Sequence, residues 1–68
     1  MKIKKVNVEN VDGVKIAFVE IENGNLIYSE DTENVFFEKA LGNNEYENFI
    51  IVKDKNIIAK RNEFLSMK

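Results

Sequence analysis

Two turn signals, Asp12-Gly13 and Asn23-Gly24, constrain the fold of this chain more than any other feature. Each lies between runs rich in β-branched residues. A two-residue type I′ turn needs φ > 0 at both central positions, which Asp-Gly and Asn-Gly tolerate well. Two such turns in succession predict a three-stranded antiparallel meander over residues 3–11, 14–22 and 25–30.

The two-residue loops also predict the register of the strands. Val6 is expected opposite Val19 and, across the second turn, Ile21 opposite Leu26. Because side chains along a strand alternate between faces, one face gathers the residues that we predict to form the core: Val6, Val8, Ala17, Val19, Ile21, Leu26 and Tyr28.

The opposite face of the meander is both apolar and charged. Its apolar members are Val11 and an apolar strip, which we define as Val14, Ile16, Phe18 and Ile27. Its polar members are Lys5, Asn7, Glu9, Glu20 and Glu22. Lys5 is expected opposite Glu20, and such a cross-strand pair contributes roughly 0.2–1 kcal/mol.

A change of period follows the meander. Within residues 29–42, Phe36, Phe37, Ala40 and Leu41 fall at helical spacing. The spacing predicts a helix over residues 32–41, with Asp31 or Thr32 as its N-cap and Gly42 after its C-terminus. Acidic residues near the start would suit the helix dipole. A strand from Val35 to Leu41 is the alternative.

The remaining residues predict a second hairpin, with strands over 46–53 and 57–65. Asp54-Lys55-Asn56 suits the turn between them, and the tail from Asn62 could extend the last strand or add a helical turn. The expected fold is a single small α+β domain over residues 1–68, mostly β, of order β-β-β-α-β-β. That order resembles the oligonucleotide/oligosaccharide-binding barrel, so a five-stranded barrel of this or the SH3-like kind is the alternative.

The composition argues against an enzyme. The 68 residues include neither histidine nor cysteine, so the usual zinc ligands, a thiolate and an imidazole base are missing. Ser29 and Ser66 have no nucleophile motif around them. Asp54-Lys55-Asn56 resembles the start of a calcium loop but lacks its later ligands. We therefore expect no catalytic residue, metal, cofactor or small-molecule substrate.

The expected location is the cytoplasm. The longest apolar run, Phe49-Ile50-Ile51-Val52, is far shorter than the ~18 residues that predict a membrane span. The lysines near the start of the chain are not followed by an apolar signal segment.

Charge is distributed unevenly, and this bears on nucleic acid as a partner. The net charge is −2 overall, yet both ends are basic and the middle, residues 6–52, is acidic. A fold that brings its ends beside its middle would neutralise these charges. Glu20, Glu22 and Glu30 would repel phosphates from the strands on which a barrel binds single-stranded nucleic acid. Such binding is the alternative function.

The favoured function is binding of a larger protein partner by a small regulatory or inhibitor module. An apolar centre within a polar rim is the anatomy of a protein interface. We expect the apolar strip to contact a partner or a two-fold copy of itself, with Glu20 and Glu22 as its rim. The abundance of Lys, Asn and Ile is typical of AT-rich genomes, and small proteins of this kind are frequent in phages and mobile elements.

Overall fold

The computed structural model describes residues 2–47 and 49–67, which form one antiparallel sheet and two short helices. The strands are β1 Ile3–Val11, β2 Val14–Ile21, β3 Gly24–Ser29, β4 Val35–Gly42, β5 Glu45–Tyr46 and β6 Ile50–Val52. The helices are α1 Lys55–Ala59 and α2 Arg61–Leu65. The first four strands pair in chain order, and β5 and β6 both pair with β4. The predicted class, α+β and mostly β, is confirmed.

The first hairpin follows the prediction in both turn and register. Asp12 and Gly13 have φ values of 52° and 83°, as a type I′ turn requires. Val6 lies opposite Val19, and the pairing is regular from Lys5 to Val11. Local turn chemistry was sufficient to fix this part of the sheet.

The second hairpin has the predicted strands but a different register. Ile21 pairs with Gly24 rather than Leu26, so the turn consists of residues 22–23 and Leu26 lies opposite Val19. The predicted pairing is therefore wrong by two residues. Because a shift of two residues preserves the face of every side chain, the predicted core face survives the correction.

Close contact between strands explains the position of Gly24 within β3. A Cβ atom at Gly24 would overlap the carbonyl oxygen of Glu38 and lie 2.9 Å from ring carbons of Phe37. Glycine is required here because β4 approaches the backbone closely. The Asn-Gly pair is therefore only partly a turn signal in this chain.

The core lies between the predicted face of the meander and the C-terminal helices. Its buried residues are Ala17, Val19, Leu26, Tyr28, Val35, Phe64 and Leu65. Val6, Val8 and Ile21 are partly buried and pack against this cluster. The seven residues predicted for the core face are all confirmed.

The predicted helix over residues 32–41 is wrong, and the alternative strand is correct. Phe37 pairs with Leu26 and Phe36 with Ile27, so β4 continues the meander. Val35 and Phe37 point toward the core while Phe36 points away, which is the period of a strand. Pairing with β3 satisfies the backbone of this segment, and Gly42 belongs to the end of β4 rather than following a helix.

The predicted C-terminal hairpin is also wrong, because residues 55–65 form α1 and α2. Asp54 is the N-cap of α1, and its carboxylate accepts hydrogen bonds from the amides of Asn56 and Ile57. Asp54 therefore begins a helix rather than the predicted turn. The sheet is not closed into a barrel, because β1 pairs only with β2 within the described part of the chain.

Arg61 connects α2 to the end of β3 and to the loop that follows it. Its Nε donates to the carbonyl of Thr32 (3.1 Å), and its Nη2 donates to the carbonyls of Ser29 (2.9 Å) and Glu30 (3.0 Å). The loop and the helix are far apart in sequence, so these bonds fix how the helices lie on the sheet.

Candidate interaction surface

The side of the sheet away from the helices carries a continuous row of apolar side chains. Phe18 lies opposite Ile27, Ile27 opposite Phe36, and Phe36 opposite Ile51. We call these four residues the apolar row and this side of the sheet the open face. Since Ala17 and Val19 are buried on the helix side, Phe18 between them must point to the open face.

Polar residues form a parallel row beside the apolar one. Lys5, Glu20, Asn25 and Glu38 lie at successive positions across β1 to β4. Asn25 Nδ2 donates to Glu38 Oε1 at 3.2 Å. Lys5 lies opposite Glu20 as predicted, but the ion pair found among residues 2–47 and 49–67 is Lys60 with Glu63 (3.7 Å). Lys5 and Glu20 are both exposed and do not form an ion pair with each other.

The structure brings only part of the predicted apolar strip together. Phe18 and Ile27 are direct cross-strand neighbours and half-buried, whereas Ile16 lies opposite Ser29 and Val14 opposite Val11. Ile16 and Val14 thus extend from the apolar row toward the first turn. Of the two predicted rim residues, Glu20 lies beside Phe18, while Glu22 lies in the second turn and is exposed.

Three apolar residues of this surface were missed by the sequence analysis. Phe36 and Ile51 belong to the apolar row, and the Phe49 ring packs against Phe36 with centroids 6.1 Å apart. Phe49 and Ile51 are 59% and 51% exposed. Phe36 was missed because the predicted helix removed it from the sheet, and the pairing of β4 with β3 is what brings it beside Ile27.

A shallow depression of about 220 Å³ lies over Phe18. Its lining is mostly polar and comprises Lys5, Asn7, Glu9, Phe18, Glu20 and Asn25. Phe18 is the apolar residue of this lining and polar groups surround it, which is the arrangement found toward the rim of a protein interface.

No group of three or more His, Cys, Asp or Glu residues that could hold a metal ion occurs among residues 2–47 and 49–67. Burial raises the pKa of Tyr28 to about 12. Its hydroxyl donates to the carbonyl of Ile57 at 2.9 Å in the core, so Tyr28 has a structural role in joining the sheet to α1.

Comparison with known proteins finds no match: no family model matches the chain, and neither does any curated protein or any solved structure. Within residues 2–47 and 49–67, no helix is long and apolar enough to cross a membrane.

Proposed function

We propose that this protein is a non-enzymatic binding module that acts on a larger protein partner through its open face. The single observation that carries the proposal is the apolar row, which crosses four strands on the side that α1 and α2 leave uncovered. Apolar residues placed together on an exposed face mark interaction sites more often than scattered ones do.

The distribution of polar groups supports a protein as the partner. Glu20 and Glu38 border the apolar row, and Glu9 lies beyond it on β1, whereas Lys5 is the one cation of these positions. The open face is therefore acidic around an apolar centre. A partner with an apolar projection surrounded by basic residues would complement both features.

Single-stranded nucleic acid is the alternative ligand, because Phe18, Phe36 and Phe49 place aromatic rings on the same face of the sheet. Bases stack on such rings in many single-strand binding proteins. The acidic border weighs against this alternative, since phosphates would be repelled. The one arginine of the chain is also committed to three backbone carbonyls.

The test compares binding by the wild type and by Phe18→Asp. Ala59→Asp is the matched control, because it adds the same charge at an exposed position on α1, on the other side of the sheet. Partners captured from source-cell lysate by the wild type are identified, purified and titrated with all three proteins. We expect Phe18→Asp to lose about 2 kcal/mol or more of binding free energy and Ala59→Asp to bind like the wild type.

Titration of labelled single-stranded oligonucleotides at two salt concentrations distinguishes nucleic-acid binding from binding of a protein partner. Micromolar binding that weakens steeply with salt and disappears in Phe18→Asp would replace the protein partner by nucleic acid. If Phe18→Asp and the wild type bind the partner equally well, the open face is not the binding surface and the proposal is contradicted. The proposal places the module in the cytoplasm, which fractionation of source cells checks.

A further inference from the structure

The outer edge of β1 is a second surface, separate from the open face. Within the described ranges β1 pairs only with β2, so its other edge presents backbone groups to solvent. Lysines and bulges commonly shield such edges. Here the irregularity between Ile3 and Lys5, together with Lys2 and Lys4, shields only the first residues. Residues 5–11 form a regular strand without proline and remain able to pair.

Hydrogen bonds at Lys15 show which residues of β1 direct their backbone outward. The amide of Lys15 donates to Glu30 Oε1 (2.9 Å), and its carbonyl accepts from the Glu30 amide (3.0 Å), so both groups point away from β1. Lys15 pairs with Asn10. Residues opposite each other in an antiparallel pair either bond to each other or both point away. Asn10 therefore points to the free edge and, by alternation, so do Val8 and Val6.

This edge is complementary to itself in one antiparallel register. Pairing two copies about Asn7 sets Val6 opposite Val8 of the second copy, and these are the residues with outward backbone groups. Lys5 then lies opposite Glu9 of the second copy, on both sides of the axis. These positions fall in non-hydrogen-bonded pairs, where side chains approach most closely and opposite charges stabilise the pairing.

Neighbouring registers lack this complementarity. Centring the pair on Val6 sets Lys5 opposite Asn7, and centring it on Val8 sets Asn7 opposite Glu9. Centring it on Lys5 or on Glu9 brings like charges together, which destabilises a strand pair. Each of these registers pairs outward residues of the two copies, so the charges select the one centred on Asn7.

We propose that two copies of this chain associate through β1, antiparallel about Asn7. Stacking of two open faces is the other way for two copies to meet, but it would bring the acidic borders of the two apolar rows together. Edge pairing avoids that repulsion. It places both open faces on one side of a continuous sheet, because the two-fold axis of an antiparallel strand pair is perpendicular to the sheet. The proposal does not depend on the partner of the open face.

Reversing the charge at Lys5 or at Glu9 is the most direct test of the β1 dimer, because both side chains are exposed. In Lys5→Glu and in Glu9→Lys, like charges meet twice in each homodimer. We expect the dissociation constant of the homodimer to be roughly tenfold higher, or more, in each variant than in the wild type. An equimolar mixture of the two variants restores opposite charges at both positions and should form heterodimers with near wild-type affinity.

The measurement is sedimentation equilibrium over a range of concentrations, with far-UV circular dichroism to confirm that each variant is folded. Because Lys5 also lies opposite Glu20 in its own chain, Lys5→Glu could lose stability; Glu9→Lys, opposite Ile16, has no such neighbour. The mixture also controls for misfolding, because an unfolded variant cannot restore the dimer.

Amide hydrogen exchange gives a second, independent readout. In a β1 dimer, the outward amides of Val6 and Val8 become protected as protein concentration rises, whereas the inward amides of Asn7 and Glu9 are protected throughout. A wild type that stays monomeric at high concentration overturns the proposal. A dimer that survives Glu9→Lys, or leaves the Val6 and Val8 amides in fast exchange, overturns it too. Neither result bears on the partner of the open face.

Discussion

The core face and the open face of the sheet are built by the same strands, yet only one of them is covered. On the core face, Phe64 and Leu65 of α2 complete a cluster in which the strand residues are buried. On the open face, Phe18 and Ile27 are only half-buried, and Ile51 is about half exposed. Apolar patterning thus determines which residues share a face, but a separate segment determines which face becomes the core.

A phenylalanine on each face gives the largest expected contrast. Phe64 is 1% exposed and lies 5.2 Å from the ring of Tyr28, between centroids. We expect Phe64→Ala to lower the free energy of unfolding by about 3–5 kcal/mol. Phe36→Ala, on the open face, should cost about 1 kcal/mol or less because its ring remains partly in contact with water. Chemical denaturation of both variants measures the difference.

Phe64→Leu keeps the comparison measurable if Phe64→Ala does not fold. Its loss of stability should lie between those of Phe64→Ala and Phe36→Ala. Equal losses for the two alanine variants would mean that the open face is covered in solution.

The difference between the faces also shows why the prediction succeeded in one half of the chain and failed in the other. The meander depends on turn chemistry at Asp12-Gly13 and on side-chain alternation, both of which are local. The spacing of the apolar residues within 35–41 favours a helix over a strand. Only the long-range pairing of Phe37 with Leu26 favours the strand, and no local pattern contains that information.

The C-terminal helices carried a local signal that was overlooked. Ile57, Ile58, Phe64 and Leu65 recur at helical spacing and pack on the core, and Asp54 is a suitable N-cap. The turn signal at Asp54-Lys55-Asn56 indicated a hairpin instead. Phe18 and Ile27 of the apolar strip are cross-strand neighbours because both lie within the predicted meander. Phe36 was not assigned to this face because its strand was predicted as a helix.

Gly24 tests the register on which both faces depend. We expect Gly24→Ala to destabilise the fold by about 1–3 kcal/mol, because the new methyl group would overlap the Glu38 carbonyl and the Phe37 ring. Gly13→Asn is the control, since no atom lies within 4 Å of a Cβ there and Asn tolerates its φ of 83°. Thermal unfolding should separate the two variants. Equal stability of Gly24→Ala and the wild type would contradict the close approach of β4.

Substitution of Arg61 tests how α1 and α2 are held against the core face. Arg61→Lys keeps the charge but cannot reach three carbonyls with a planar fork. We expect a loss of about 2 kcal/mol and faster amide exchange in residues 29–34. The exposed Lys60 provides the control, because Lys60→Gln removes only a surface ion pair with Glu63. If Arg61→Lys lost as little stability as Lys60→Gln, the three hydrogen bonds from Arg61 to backbone carbonyls would contribute little to the free energy of unfolding.

The smallest expected effect concerns the hydroxyl of Tyr28, the polar group that the core face buries. Tyr28→Phe should cost about 1 kcal/mol at neutral pH, since the ring packing remains and the Ile57 carbonyl still accepts from the Lys60 amide. Burial raises the pKa of Tyr28 to about 12, so the unfolded chain releases this proton at lower pH than the folded one. The wild type is then expected to lose stability as pH rises from about 10 to about 12. The difference in unfolding free energy between the wild type and Tyr28→Phe, measured across that range, isolates this contribution from the titration of lysines. A difference that stays constant with pH would show that water reaches Tyr28, and that the core face is less completely covered than its contacts with α1 and α2 indicate.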